Sequence, residues 1–235
     1  MPNPYFRFKQ FTVFHDLCAM KVGTDGVLLG AWADCSSAQT ILDIGTGSGL
    51  IALMLAQRSN ATITAIDIDE SAYIQAGVNF KESPFNDRLN VYHSSIQQFS
   101  APTKYDLIVS NPPYFSNSLQ SPDASRTHAR HTDSLPLSDL IKYSQLLLSP
   151  KGKLSLILPA DVFEQVNSQA LENSLFLCRK TLVRPTPSQA PKRVLLEYSQ
   201  VQQTLIEDEL FIEKSRHVYS EEYRKLTSEF YLNSR

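Results

Sequence analysis

The sequence predicts a doubly wound α/β fold, a mostly parallel sheet of seven strands covered by helices on both faces, with an antiparallel hairpin toward the C-terminus. Three observations carry this reading. From residue 40 onward short apolar runs alternate with segments of helical periodicity, the rhythm of successive β–α units. The central runs are apolar almost throughout, as strands buried on both faces must be. The last two runs have no helix between them, only the turn-forming "PTPSQAP", so they should pair antiparallel.

Each element follows in order. "TILDI" (40–44) leads into a helix over 48–59, and "ATITAIDI" (61–68) into a helix over 70–83. "LNVYH" (89–93) and "YDLIVS" (105–110) read as strands, then a helix over 137–149 and the strand "KLSLILP" (153–159). The runs at 174–184 and 192–200 form the hairpin, expected at the sheet edge. Ahead of the core, "GTDGVLLGAWA" reads as a short apolar helix capped by Thr24 or Asp25. Near the C-terminus Tyr219, Tyr223, Leu226 and Phe230 recur at helical spacing, the pattern of a helix packing on the core. One domain over 1–235 is expected, with a covering segment (1–35), a core (40–200) and a packing extension (201–235).

Composition narrows the function. Lys and Arg number 22 against 24 Asp and Glu, a net charge of −2, so any polyanionic partner must be held by local patches. Cys18, Cys35 and Cys178 lie far apart and form no metal-ligand spacing, so no metal is expected and the thiols read as free in a reducing cytoplasm. The start "MPNPYFRFKQF" lacks the apolar run of a signal peptide, and no run approaches the ~18 residues of a membrane span.

The chemistry is carried by three turns that follow strands. "LDIGTGSG" places Asp43 at a strand end, then Gly45, Thr46, Gly47 and Gly49 in a turn that opens a helix. Glycines there let a ligand approach the backbone and the first helical amides. Leu50 stands where a dinucleotide fingerprint needs glycine, and no Gly-Lys-Ser/Thr follows, so pyrophosphate and P-loop readings fail. An acid-bearing glycine turn suits a ligand with an ammonium and a carboxylate. At the end of "AIDID", Asp67 stands where a carboxylate accepts the hydroxyls of a ribose, while Asp69 fits as the cap of the next helix. "DLIVSNPPY" ends a buried strand in Asn111-Pro112-Pro113-Tyr114, a turn too stiff to continue the ladder.

"LDIGTGSG", "AIDID" and "NPPY", in this order, resemble the class I S-adenosylmethionine-dependent methyltransferases, with their Rossmann-like fold, and the last motif resembles enzymes that methylate planar amino or amide nitrogens. The resemblance implies that Asp43, Gly45, Thr46 and Gly47 hold the methionine part of S-adenosyl-L-methionine, Asp67 its ribose and Ile68 its adenine. Where many members carry an acid after the third strand, this chain reads "HSSI", so Ser94, Ser95 or a backbone amide near Ile96 must serve the adenine. Asn111 and the Pro112 carbonyl, in the turn that Pro112 and Pro113 stiffen, would accept the N–H groups of the target nitrogen, Asn111 would also border the cofactor, and Tyr114 would stack on the target base.

The flanks sharpen this. "FTVFHDLCAMKVGTDGVLLGAWA", "ARHTDSL" and "YSEEYRKLTSEFYL" resemble the tRNA1(Val) adenine-N6 methyltransferase family over nearly the whole chain, which implies a cytoplasmic enzyme acting on adenine-37 beside the anticodon, expected as a monomer. By the same resemblance Lys21, Gly23, Thr24 and Asp25 close over the cofactor. The transfer RNA anticodon stem-loop is the implied partner, since an unpaired base is cheap to splay into a pocket. Arg126 and Arg130 close behind NPPY, and Arg184, Lys192 and Arg193 in a stretch (174–196) without acids, are the residues expected on phosphates. NPPY also suits protein-glutamine N5-methyltransferases and RNA guanine-N2 methyltransferases, though residues 1–39 are too few for the extra helical domain of the former. A non-catalytic RNA-binding module is the remaining alternative.

Overall fold

A computed structural model describes residues 3–18, 20–113 and 135–232. A hairpin of β1 (Tyr5–Arg7) and β2 (Thr12–Phe14) precedes helix α1 (Thr24–Trp32). The core runs β3 (Thr40–Ile44), α2 (Leu50–Arg58), β4 (Thr62–Asp67), α3 (Glu70–Lys81), β5 (Leu89–His93) and β6 (Tyr105–Ser110). It continues through α4 (Leu137–Leu147), β7 (Leu148–Pro159), α5 (Phe163–Glu172), β8 (Phe176–Arg184), β9 (Arg193–Ser199) and β10 (Ile206–Phe211). A short ribbon, β11 (Glu213–Ser215) with β12 (Val218–Tyr219), leads into α6 (Glu221–Thr227).

The main sheet has the order β10-β8-β9-β7-β6-β3-β4-β5, with β9 antiparallel to both its neighbours and the other pairs parallel. The strand order reverses between β3 and β6, which places a crevice at their carboxyl ends, the location where open α/β sheets bind ligands. Side-chain alternation divides the core into two layers. Ile41, Ile63, Leu107 and Val109 pack with α1 and α2, whereas Leu42, Ile44, Ile66 and Ile108 pack against Leu140 and Ile141 of α4 and Val166 of α5. The doubly wound reading therefore holds, including the β8–β9 hairpin.

Three details differ from the sequence reading. The sheet has an eighth strand, because β10 adds parallel to β8, so the hairpin is covered rather than at the edge. Its sequence "IEDELF" carries three acids and exposes four of its six residues, the habit of an edge strand that discourages further pairing. Neither Thr24 nor Asp25 caps α1; Gly23 holds the N-cap position and Asp25 is drawn to an arginine described below. At the C-terminus Tyr219 belongs to β12 and Phe230 lies past α6, although Tyr223 and Phe230 are both buried. Ser220 caps this helix, its Oγ accepting from the Tyr223 amide at 3.0 Å. Among the described residues no helix is long and apolar enough to cross a membrane.

Candidate active site

The glycine turn is built by its neighbours. The amides of Gly45 and Thr46 donate to the Ile66 carbonyl at 2.9 and 3.1 Å, laying the turn across the end of β4. Gly45 and Gly47 have φ of 69° and 56°, and a Cβ added to either meets nothing within 4 Å, so the turn faces open space. Beneath it Asp43 is wholly buried, with Oδ2 accepting from Thr46 Oγ1 at 2.7 Å and from the Ala52 amide at 3.2 Å. Burial pushes this carboxyl up to about 7, against the pull of those two donors. Asp43 thus organises the turn from below.

Asp67 joins two turns. Its Oδ2 accepts from the Gly47 amide at 2.8 Å and its Oδ1 from the Asp69 amide at 3.0 Å. Burial raises its carboxyl as well, while these hydrogen bonds oppose the rise. Asp69 caps α3 as expected, Oδ1 accepting from Ser71 N at 2.7 Å and Ala72 N at 3.2 Å.

Of the expected site residues, Gly45, Gly47, Asp67, Ile68, Ser95, Ile96, Asn111 and Pro113 all line one cavity of about 680 Å³. Asp43, Thr46 and Pro112 are buried and do not line it. Lys21, Gly23, Thr24 and Asp25 do not line it either; the N-terminal segment enters through Cys18 and Met20 instead. Burial, with Asp67, Asp69 and Asp16 nearby, pushes the Cys18 thiol up to about 11, which keeps it protonated and unreactive at neutral pH. Tyr114, Arg126 and Arg130 lie outside the described residues. Among those described, no group of three or more His, Cys, Asp or Glu gathers as a metal site would require.

Several residues that position the site were not singled out in the sequence. Asn79 of α3 is fully buried; its Oδ1 accepts from Phe14 N at 2.9 Å, and its Nδ2 donates to Phe14 O at 2.8 Å and Ser48 O at 2.7 Å. One turn earlier Gln75 Oε1 accepts from Leu17 N at 3.1 Å. Together they fasten the N-terminal segment to the glycine turn. Their signal is legible afterwards: two amides at i and i+4 on the helix face that Ala72, Ala76 and Phe80 bury. Ser110, just before NPPY, donates from Oγ to Ile44 O at 2.8 Å and so locks the end of β6 to the end of β3.

The expected cationic residues divide. Arg184 pairs with Glu209 of β10 at 2.9 Å and donates to Gln189 O at 3.0 Å. Lys180 pairs with Glu207 of the same strand. The stretch without acids is thus faced by acids from a strand that follows it in sequence. Arg193 donates from Nε to Asp25 Oδ2 at 2.7 Å, which pins the start of α1 to the start of β9. Lys192 is exposed.

Fold and cavity together define a class I methyltransferase. The model for the methyltransferase small domain matches residues 21–162. A solved structure of a predicted O-methyltransferase from Agrobacterium tumefaciens superposes with a TM-score of 0.70 at 19% identity, over 88% of this chain and 96% of that one. A tRNA1(Val) (adenine(37)-N6)-methyltransferase from Phocaeicola vulgatus is 55% identical over 99% of this chain and its own full length. The protein of the same description from Parabacteroides distasonis is 52% identical over 99% of each chain. The chain belongs to the tRNA1(Val) (adenine(37)-N6)-methyltransferase family.

Proposed function

We propose that this enzyme transfers a methyl group from S-adenosyl-L-methionine to N6 of an adenine in transfer RNA, adenine-37 beside the anticodon of tRNA1(Val). The observation that carries the reading is that Asn111 and Pro113 line the same cavity as Gly45, Gly47 and Asp67. A cofactor on the glycine turn and a base at NPPY therefore share one chamber.

The residues fit this cofactor. The open space above Gly45 and Gly47 admits the methionine backbone, and the Asp67 carboxylate, oriented by the Gly47 and Asp69 amides, lines the cavity where the ribose hydroxyls would donate to it. Ile68 and Ile96 offer apolar faces to the adenine. Bound there, the cofactor supplies an electrophilic methyl on a sulfonium. The target amino group is a weak nucleophile because its lone pair is delocalised into the ring. The Asn111 side-chain oxygen and the Pro112 carbonyl accept its two N–H groups, favouring the pyramidal nitrogen and the positive charge that develops in transfer. Tyr114 stacks on the base and holds the nitrogen in line. Lys192 and, beyond the described residues, Arg126 and Arg130 take phosphates of the anticodon arm.

The test is to incubate the protein with methyl-labelled cofactor and either total transfer RNA or a release factor, then to map the product. N6-methyladenosine at position 37 is expected. Label in a glutamine side chain or in N2-methylguanosine would overturn the assignment of the substrate.

A further inference from the structure

The exocyclic amine of a cofactor adenine calls for an acceptor, and "HSSI" carries no acid to provide one. The Ser95 carbonyl is already occupied, accepting from Ser94 Oγ at 3.0 Å and from the amides of Gln98 and Phe99 at 3.2 and 3.0 Å. Two positions further on, Gln97 lines the cavity and donates from Nε2 to Asp139 Oδ2 at 2.8 Å. Asp139 sits in the first turn of α4, where negative charge is favoured by the helix dipole. A carboxylate can only accept, so it fixes which way round the amide lies. With its NH₂ turned to Asp139, Gln97 has an acceptor, Oε1, left for a ligand.

We propose that Gln97, oriented by Asp139, accepts the exocyclic N–H of the cofactor adenine and is the residue that selects adenine on the cofactor. The inference rests on S-adenosyl-L-methionine as the cofactor. Gln97 touches the ligand; Asp139 is a positioning residue that acts through it. Adenine offers a donor at its 6 position and hypoxanthine an oxygen, so an acceptor locked in place attracts the first and repels the second. An amide free to turn over would serve either.

Calorimetry of the full chain with S-adenosylhomocysteine and with S-inosylhomocysteine, its 6-oxo analogue, tests this without turnover. Wild type should prefer the adenosyl ligand by about tenfold or more, the scale of one hydrogen bond gained against one acceptor opposed. Gln97→Ala should weaken the adenosyl ligand by ~2–10-fold and tighten the inosyl ligand, whose 6-oxygen no longer faces an opposed acceptor, so that the preference collapses. Asp139→Ala should lose the preference too, by releasing the amide, while Asp139→Asn, whose oxygen still accepts, should regain much of it. An undiminished preference in Gln97→Ala overturns the proposal, and its loss in Ser95→Ala alone would reassign the role to that hydroxyl. Binding of neither ligand by the wild type would remove the cofactor reading itself, an outcome distinct from binding without preference, which removes only the role of Gln97.

Discussion

Asp43 and Asp67 are two acids that the sequence offers for one ligand, and the structure separates their duties. Asp67 reaches the cavity; Asp43 is sealed under it, held by Thr46 and Ala52. Because the folded carboxyl of Asp43 is raised to about 7 from an ordinary value of 3.8, the folded state binds the proton more tightly than the unfolded chain. Its contribution is therefore stabilising below about 4 and is lost as pH rises from there through 7. Asp43→Asn should flatten this part of the pH dependence of thermal melting between pH 4 and 8, and superimposable profiles for variant and wild type would refute the assignment. The glycines divide likewise. Gly47→Ala and Gly49→Ala both place a side chain at left-handed φ, worth ~1–2 kcal/mol each. At Gly49 the new Cβ also lies 2.5 Å from a ring carbon of Phe80, so that variant should melt lower, whereas Gly47→Ala should chiefly lose cofactor affinity. At NPPY, the role proposed for Asn111 predicts that Asn111→Ala lowers kcat by ~10²–10³ with a much smaller change in KM, since a partner to developing charge acts mainly in the transition state. Single-turnover methylation of an anticodon stem-loop measures this, and near-normal turnover would reduce NPPY to a structural turn.

Elements show where local reading stops. The strands β3 and β6 have the bounds their apolar runs mark, because a buried parallel strand has no alternative to an apolar sequence, and the edge strand β5, though mostly exposed, also keeps the bounds of its run. The strand β10 was not legible: "IEDELF" is mostly exposed, and its pairing with β8 follows from topology. That pairing also changes the meaning of the basic stretch 174–196, whose acids come from across the ladder at Glu207 and Glu209. Arg184→Gln should then leave the salt dependence of RNA binding nearly unaltered. Lys192→Gln should reduce the slope of log K against log salt by about 0.7–0.9, the share of one phosphate contact. Filter binding of the stem-loop from low to physiological salt separates the two, and equal effects would mean that Arg184 leaves Glu209 for the RNA. The pair of Asp25 and Arg193 is an element-level device of the same kind. The family resemblance points to Asp25 and the charge pattern to Arg193, without hinting that they meet, since 168 positions separate them.

For the molecule as a whole, the N-terminal hairpin and the C-terminal segment share one layer. Phe8 stacks with Phe11 at 4.8 Å and with Tyr231 at 6.0 Å, the Lys9 amide donates to Phe230 O at 2.8 Å, and Lys9 Nζ reaches Ser228 O at 2.6 Å. Helical spacing announced that the C-terminal segment packs; that it packs on a hairpin at the N-terminus, which the sequence reading did not foresee, lay beyond any local signal. Phe230→Ala should cost ~3–5 kcal/mol, the usual loss for a buried phenylalanine, read by denaturant melting. A cost below 1 kcal/mol would mean that the C-terminal segment only decorates the core.

This seam has a consequence for manufacture. Lys9 and Ser228 are 219 positions apart, so at ~5–20 residues per second a ribosome needs ~10–40 s to deliver the partner of the first hairpin. Through that interval the Phe8 side of the hairpin waits without Tyr231 and Phe230, while Gln75 and Asn79 are already there to hold the segment that leads from it into the cavity. Every described residue that lines the cavity, the last of them Leu135, is thus synthesised before the cover of the first hairpin.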